Sequence, residues 1–90
     1  NVIIENNNVI SHHCIIKDNC YITSQAIIAG HVTIESNCFL GINCTIRNRI
    51  KIAKESLIGA GAVILKNTKE KEVYSVNTVM LSRKSDELDF

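Results

Sequence analysis

A repeat of six residues runs through most of the chain and constrains its fold more than any other feature of the sequence. Starting at Ile4, every sixth residue is a large aliphatic, and the series continues without a break to Ile64. A fixed period of this kind is typical of architectures in which each unit buries its apolar face only by stacking on its neighbours. The series is Ile4, Ile10, Ile16, Ile22, Ile28, Ile34, Leu40, Ile46, Ile52, Ile58 and Ile64.

A second, mostly small residue lies two positions before each of these aliphatics. In an extended segment these two positions share one face of the strand. Each hexad is therefore predicted to be a short strand that points one large and one small residue into a core. The small positions are Val2, Asn8, Cys14, Cys20, Ala26, Val32, Cys38, Cys44, Ile50, Ser56 and Ala62.

All four cysteines fall in this small inward series, where a free thiol packs as a compact apolar group. Cys20 and Cys38 are expected to stack directly on each other, so a disulfide between them is geometrically conceivable. We expect free thiols instead, because the cytosol is reducing.

The position three after each aliphatic is predicted to be a turn. Most of these residues are Asn, Gly or His, which accept a positive φ more readily than other residues. They are Asn7, His13, Asn19, Gln25, His31, Asn37, Asn43, Arg49, Glu55, Gly61 and Asn67. Three strands and three corners make a triangular coil of about eighteen residues, as in hexapeptide β-helices. The sequence therefore predicts an all-β, parallel β-helix, and the periodicity alone leaves its handedness open.

Residues one coil apart are expected to stack in columns, and the outward-facing columns differ in polarity. Two of the three faces are apolar outside as well as inside, and a single subunit rarely exposes patches of that extent. We therefore expect a homotrimer that covers two faces of each subunit. The columns are Ile3, Tyr21, Phe39 and Leu57 on one face, Val9, Ile27, Thr45 and Val63 on the second, and Ile15, Thr33 and Lys51 on the third.

Length and charge set further limits. The 90 residues carry a net charge of +1 with interleaved signs, which argues against a nucleic-acid partner. No apolar run approaches the roughly 18 residues of a membrane span, so we expect a cytoplasmic protein without a membrane partner. Because the first residue is Asn1 and the repeat is already in phase at Ile4, the chain is expected to begin inside a longer protein.

Two regions are predicted along the chain. Residues 1–67 form the β-helix, of about 3.5 coils and truncated at its start, and residues 68–90 form a short C-terminal tail or cap. Within the tail, the apolar residues 73–81 are expected to form a strand or cap. The charged residues 82–90 are expected to fray or to form one helical turn.

Among the three histidines, His12 is the candidate for catalysis. His13 and His31 fill the predicted turn position, whereas His12 is the only histidine in the position before it. Its column continues with Gly30, which has no side chain, so that a linear thioester could lie beside the backbone and end near His12. An imidazole has a pKa near working pH and suits a general base. Cysteines that face inward and histidines that lie at corners do not converge, so we expect no metal site.

Several motifs resemble the sialic acid O-acetyltransferase and bacillosamine/perosamine N-acetyltransferase family of hexapeptide-repeat sugar acyltransferases. They are Ile10-Ser11-His12-His13-Cys14-Ile15-Ile16, Asp18-Asn19-Cys20-Tyr21-Ile22, Ala29-Gly30-His31-Val32-Thr33-Ile34, Asn37-Cys38-Phe39-Leu40-Gly41 and Ile58-Gly59-Ala60-Gly61-Ala62-Val63. The resemblance implies a trimeric, left-handed β-helix with acetyl-CoA in the groove between subunits.

The same resemblance implies roles for individual residues. His12 matches the catalytic base that deprotonates a sugar amine or hydroxyl, and Gly30 matches the backbone amide beside the thioester. Ile42 and Ala60 match positions that line the pantetheine arm. The implied reaction is transfer of an acetyl group from acetyl-CoA to a nucleotide-linked amino sugar or a related sugar, in polysaccharide biosynthesis.

The chain departs from the family pattern at three places. His13 stands where the family often has a Glu or Asp that orients the base, and we assign it to the catalytic group. Tyr21 stands where a histidine contacts the acetyl carbonyl, and a phenol can donate a hydrogen bond there. Val76-Asn77-Thr78-Val79 replaces a Gly-x-Pro-Ala segment. The family's N-terminal sugar-binding domain is not among these residues and is expected in the full-length protein.

The sequence leaves alternatives open. The acceptor group is an amine or a hydroxyl, and a sialic acid or other sugar O-acetyltransferase is the main alternative. The sugar, its nucleotide and the acyl group are also open. A β-helix carbonic anhydrase would hold zinc with three histidines, two of them five residues apart, a spacing absent here. A non-catalytic ice-binding helix would show flat ladders of threonine, whereas the threonines here are scattered.

Overall fold

The structure is a computed structural model that describes residues 1–76. These residues form β-strands and turns without a helix, as the all-β prediction requires. Each strand is two residues long, and a turn at a corner of the coil connects most strands to the next. The strands are β1 Ile3–Ile4, β2 Val9–Ile10, β3 Ile15–Ile16, β4 Tyr21–Ile22, β5 Ile27–Ile28, β6 Thr33–Ile34, β7 Phe39–Leu40, β8 Thr45–Ile46, β9 Lys51–Ile52, β10 Leu57–Ile58, β11 Val63–Ile64 and β12 Val73–Tyr74.

The strands build three parallel sheets that form the sides of a triangular β-helix. The first sheet has the order β1-β4-β7-β10-β12, the second β11-β8-β5-β2 and the third β3-β6-β9. Ile3 pairs with Tyr21 and Val9 pairs with Ile27, so residues eighteen apart are in register. The predicted hexapeptide coil is confirmed.

The aliphatic series fills the interior. From Ile22 to Ile58 each member of the series is fully buried, and Ile64 is 6% exposed. Ile4 and Ile10 are 47% and 36% exposed, because they lie in the first described coil and have a neighbouring coil on one side only. Burial of such a side chain stabilises the fold by about 1.5–3 kcal/mol. Stacking of successive coils is therefore the main source of stability.

The cysteines lie where the small inward series places them. Cys20, Cys38 and Cys44 are buried, Cys14 is half-buried, and all four are free thiols. Burial raises the pKa of both the Cys38 and the Cys44 thiol to about 11. These two side chains therefore stay protonated and pack as apolar groups.

The predicted turn series is confirmed at every position but its last. Residues from Asn7 to Glu55 in the series have φ between 58° and 62°, and Gly61 has φ 72°. The prediction for Asn67 is wrong, because the positive φ occurs at Lys71 instead, with φ 61°. The physical reason is that the last side of the coil is shorter, since Leu57 pairs with Val73, sixteen residues on.

Side chains replace the missing strand on that last side. The Asn67 Oδ1 atom accepts the Lys51 amide at 2.8 Å, and the Thr68 Oγ1 atom accepts the Ala53 amide at 2.7 Å. The Thr68 hydroxyl is also 3.0 Å from the buried Ser56 hydroxyl. The chain then returns to the first sheet as β12.

Of the predicted C-terminal tail, residues 68–90, the structure describes residues 68–76. β12 is the beginning of the apolar segment 73–81 and pairs with β10. The rest of that segment, the charged residues 82–90 and the replacement of Gly-x-Pro-Ala at Asn77-Thr78-Val79 lie outside the described residues. Among residues 1–76, no helix is long and apolar enough to cross a membrane.

Candidate functional site

Two successive coils bring three histidines to one corner of the β-helix. His12 and His13 form the turn between the second and third sheets, and Gly30 and His31 form the same turn one coil on. The His31 amide donates to the His12 carbonyl at 3.0 Å, which fixes the register of the two turns. We call His12, His13 and His31 the histidine corner.

The three imidazoles of the histidine corner contact one another. The His12 and His13 Nδ1 atoms are 3.0 Å apart, a hydrogen bond in which one ring donates and the other accepts. The His13 and His31 rings stack, with centroids 4.9 Å apart and planes within 1°. The His12 ring is edge-on to both others, with centroid distances of 5.2 and 5.1 Å. All three side chains are exposed, so the cluster is open to a ligand.

The surroundings of His31 disfavour a positive charge on its imidazole. Desolvation between neighbouring groups, followed by the charge of Arg49 and then the other two imidazoles, lowers the pKa of His31. Arg49 is the next residue in the column of His13 and His31, and its amide donates to the Gly30 carbonyl at 3.0 Å. The neutral form of His31 is therefore favoured.

Gly30 supports the imidazole of His12 directly. A Cβ atom at Gly30 would lie 2.9 Å from the His12 Cε1 atom and 3.0 Å from Nε2, closer than ordinary contact. The sequence suggested that the bare backbone of Gly30 leaves room for a ligand. The structure shows that the His12 ring lies in that space. Glycine at this position therefore allows His12 to take up its orientation.

The other predicted site residues lie elsewhere on the same chain. Tyr21 is on the first sheet, where its hydroxyl donates to the Glu5 Oε2 atom at 2.7 Å and its ring stacks on Phe39. That hydrogen bond raises the pKa of Tyr21. Ile42 and Ala60 lie at the corner between the first and second sheets. One chain therefore brings together His12, His13 and Gly30, but neither Tyr21 nor the two pantetheine-arm positions.

His31 is the side chain of this cluster that sequence reasoning missed. Its turn conformation is confirmed, with φ 59°, but the hexad position predicts only a turn residue there and no contact with the other histidines. The signal was present in the sequence, because the eighteen-residue register places His31 directly on His13. The cysteines face inward, away from the histidines, as the sequence predicts. The three histidines instead converge on one another, with ligand atoms within 4.8 Å.

An opening of about 270 Å³ lies at the last coil and is lined by Val63, Ile64, Leu65, Lys66, Asn67 and Tyr74. Lys66 belongs to the column of His12 but stands three coils away from it. The opening is therefore separate from the histidine corner.

Comparison with known families supports the class of protein that the fold indicates. Residues 31–66 match the family model described as bacterial transferase hexapeptide (six repeats). No curated protein matches the chain at a significant level. The match supports the hexapeptide-repeat transferases with their left-handed β-helix, and acyl transfer as the general activity. The matched segment begins at His31 and ends at Lys66, so His12, His13 and Gly30 precede it.

Proposed function

We propose that the chain is the acyl-transfer module of an acetyl-CoA-dependent sugar acetyltransferase, with His12 as the general base. The main observation behind this proposal is the position of the His12 imidazole. It packs against Gly30, and its Nδ1 atom is hydrogen-bonded to Nδ1 of His13. In residues 1–76, no hydrogen bond occupies the His12 Nε2 atom, so that atom is available to accept a proton. The family match supports the transferase class.

The proposed reaction uses His12 and His13 as a pair. When His12 donates from Nδ1 to the Nδ1 lone pair of His13, the lone pair of His12 is on Nε2. Nε2 then takes the proton of the attacking sugar amine or hydroxyl. A carbon–nitrogen or carbon–oxygen bond forms at the acetyl carbonyl, the carbon–sulfur bond breaks, and the proton returns to the departing CoA sulfur. His13 is the orienting group in place of a carboxylate.

We further propose that the working form is a homotrimer. Exposed apolar side chains follow the first sheet, including Phe39 at 41% and Leu57 at 42%, and the second sheet, including Val63 at 59%. The third sheet instead carries ion pairs, with the Glu35 carboxylate 2.9 Å from Lys17 and 3.7 Å from Lys51. We infer that other subunits cover the outer faces of the first and second sheets, whereas the third sheet faces water.

Assembly would also bring the separated site residues together. Ile42 and Ala60 lie at one end of the second sheet and His12 lies at the other. A neighbouring subunit packed along that sheet can place its own Ile42 and Ala60 near this His12. The proposed acetyl-CoA site therefore lies between subunits, and Tyr21 contacts the acyl carbonyl from the first sheet.

The test is turnover of acetyl-CoA by the full-length enzyme with amino sugars and sialic acids as acceptors, followed as free CoA thiol. His12→Ala is expected to lower turnover by roughly 10²–10⁴-fold, the usual contribution of a positioned acid–base group. Binding of acetyl-CoA should survive. His13→Asn is the matched comparison, because Asn also occupies this turn position at Asn7 and Asn19. It should keep the fold and cost less in rate.

His13→Glu restores a carboxylate beside His12, so the rate should hold or rise. The assignment of roles is wrong if His12→Ala turns over near the unmutated rate while His13→Asn is inactive. An amino-sugar acceptor supports N-acetyl transfer, and a sialic acid acceptor supports the O-acetyltransferase alternative at the same base.

A further inference from the structure

We propose that the histidine corner binds one divalent transition-metal ion through His12, His13 and His31, and that the bound ion prevents His12 from acting as a base. This site is additional to the acyl-transfer function. The bound ion would make the corner a point of inhibition by metal.

The distances within the cluster suit a shared ion. One nitrogen from each imidazole lies within 4.8 Å of the other two. Two histidine nitrogens bound to one tetrahedral zinc ion are about 3.4 Å apart, given zinc–nitrogen bonds of about 2.0–2.1 Å. The difference is small enough for rotation of exposed side chains to remove it. The His13–His31 stack must open, so that both rings tilt towards the ion.

The backbone holds the three ligands before any ion binds. His12 and His13 are adjacent in one turn, and the hydrogen bond from the His31 amide to the His12 carbonyl fixes the second turn against the first. His13 and His31 have nearly identical φ values of 58° and 59°. The entropic cost of binding is therefore limited to side-chain torsions, and no loop has to fold around the ion.

The ligand set selects the kind of metal. Neutral imidazoles suit zinc, copper, nickel and cobalt, whereas magnesium and calcium prefer oxygen ligands. In the part of the chain that the structure describes, the cluster contains no carboxylate. Arg49 stands next in the column and opposes a cation by its charge. We therefore expect binding of zinc and cobalt and none of magnesium.

The corner also leaves room for further ligands on the ion. Three protein ligands leave the fourth tetrahedral position of zinc to water. All three imidazoles are exposed, so that this position faces solvent. An ion bound here would engage a lone pair of His12 that the acyl transfer requires. Metal should therefore inhibit turnover in proportion to its occupancy of the corner.

Calorimetric titration with Zn²⁺ tests the site, in protein that carries no polyhistidine tag. One ion per chain is expected, with no response to Mg²⁺. His31→Asn should weaken the affinity at least about tenfold, because loss of a ligand costs no less than loss of an outer-shell partner. Asn already occupies the equivalent turn position at Asn37 and Asn43. Far-UV circular dichroism and the melting temperature should be unchanged.

Cys14→Ser is the matched control. Cys14 is the half-buried thiol closest in sequence to the corner, and its Sγ atom donates to the Ala29 carbonyl at 3.1 Å, a bond that a hydroxyl can also make. Its zinc affinity should equal that of the unmutated chain. Equal affinity in His31→Asn, or loss of binding in Cys14→Ser, would overturn the proposal.

Failure of this site and failure of the proposed function are distinguishable. Calorimetry reports binding whether or not the chain releases CoA. A chain that binds zinc and shows no turnover upholds the metal site and defeats the acyl-transfer proposal. A chain that releases CoA and binds no zinc upholds the acyl-transfer proposal and defeats the metal site. Where both hold, Zn²⁺ should inhibit turnover, and His31→Asn should shift the inhibiting concentration upward by the same factor as the affinity.

Discussion

Substitution of Gly30 by alanine tests whether the orientation of His12 matters to turnover. The added methyl group would lie 2.9 Å from the His12 Cε1 atom, and ordinary contact requires 3.4–4 Å. The ring must therefore move by roughly 0.5–1 Å, and a misplacement of about 1 Å costs on the order of 10²-fold in rate. We expect a loss of that size, measured as free CoA at saturating acetyl-CoA.

Stability should not fall in the same variant. Gly30 has no positive φ, and the contact is with the exposed imidazole of His12, which can rotate away. Alanine at such a backbone position stabilises by about 0.4–1 kcal/mol, by restricting the unfolded chain. The melting temperature of Gly30→Ala is therefore expected to hold or rise slightly while turnover falls.

Gly41→Ala is the matched control for this prediction. A Cβ atom at Gly41 would lie 2.6 Å from the Ala60 amide nitrogen and 2.8 Å from the Ile58 carbonyl oxygen, both backbone atoms of the next coil. Backbone in a stacked sheet cannot rotate away, so overpacking should cost about 1–3 kcal/mol. The melting temperature should drop. If Gly30→Ala loses stability as Gly41→Ala does, or keeps full turnover, the role of Gly30 as a support for His12 is wrong.

Two further predictions concern assembly and thiol chemistry. Light scattering at micromolar concentration should give the mass of a trimer, and a stable monomer would contradict both the trimer and the site between subunits. Cys38 and Cys44 should resist iodoacetamide at pH 8 in the folded protein and react once it is unfolded, as followed by mass spectrometry. With a pKa of about 11, only about one thiol in a thousand is ionised at that pH. Rapid alkylation of either cysteine in the folded protein would contradict its burial.

The repeat predicts the fold closely because each hexad contains the residues that determine its own strand, its inward face and its turn. The large aliphatic, the small inward residue and the turn residue recur locally, and the register of the coils then follows from the period. Asn67 is the exception, because the last coil is shorter than the others. Asn has the right residue type for positive φ, but its side chain bonds the Lys51 amide in a shortened coil. Residue type indicates where a turn is allowed, and coil length decides where it occurs.

The site was predicted less completely for a different physical reason. His12 and His31 occupy different positions of the hexad, so the six-residue pattern does not place them together. Their contact arises across two coils, where the turn of one coil lies on the turn of the next. For Tyr21, Ile42 and Ala60, the sequence proposes a role that one chain alone cannot form. Their proposed partners lie on another subunit, and no pattern within one chain specifies how subunits face each other.

The histidine corner, as the described residues form it, contains no carboxylate. A carboxylate beside the base would stabilise the imidazolium formed when His12 takes the proton of the acceptor. His13 can orient His12 through the 3.0 Å contact of their Nδ1 atoms, but it supplies no negative charge. Arg49, two coils from His13, adds positive potential, since its charge contributes to lowering the pKa of His31. The charge that balances the imidazolium must then come from the reaction itself, as the oxyanion that develops on the acetyl carbonyl. Proton transfer to His12 and attack on the thioester should therefore be closely coupled in this chain, and His13→Glu should loosen that coupling.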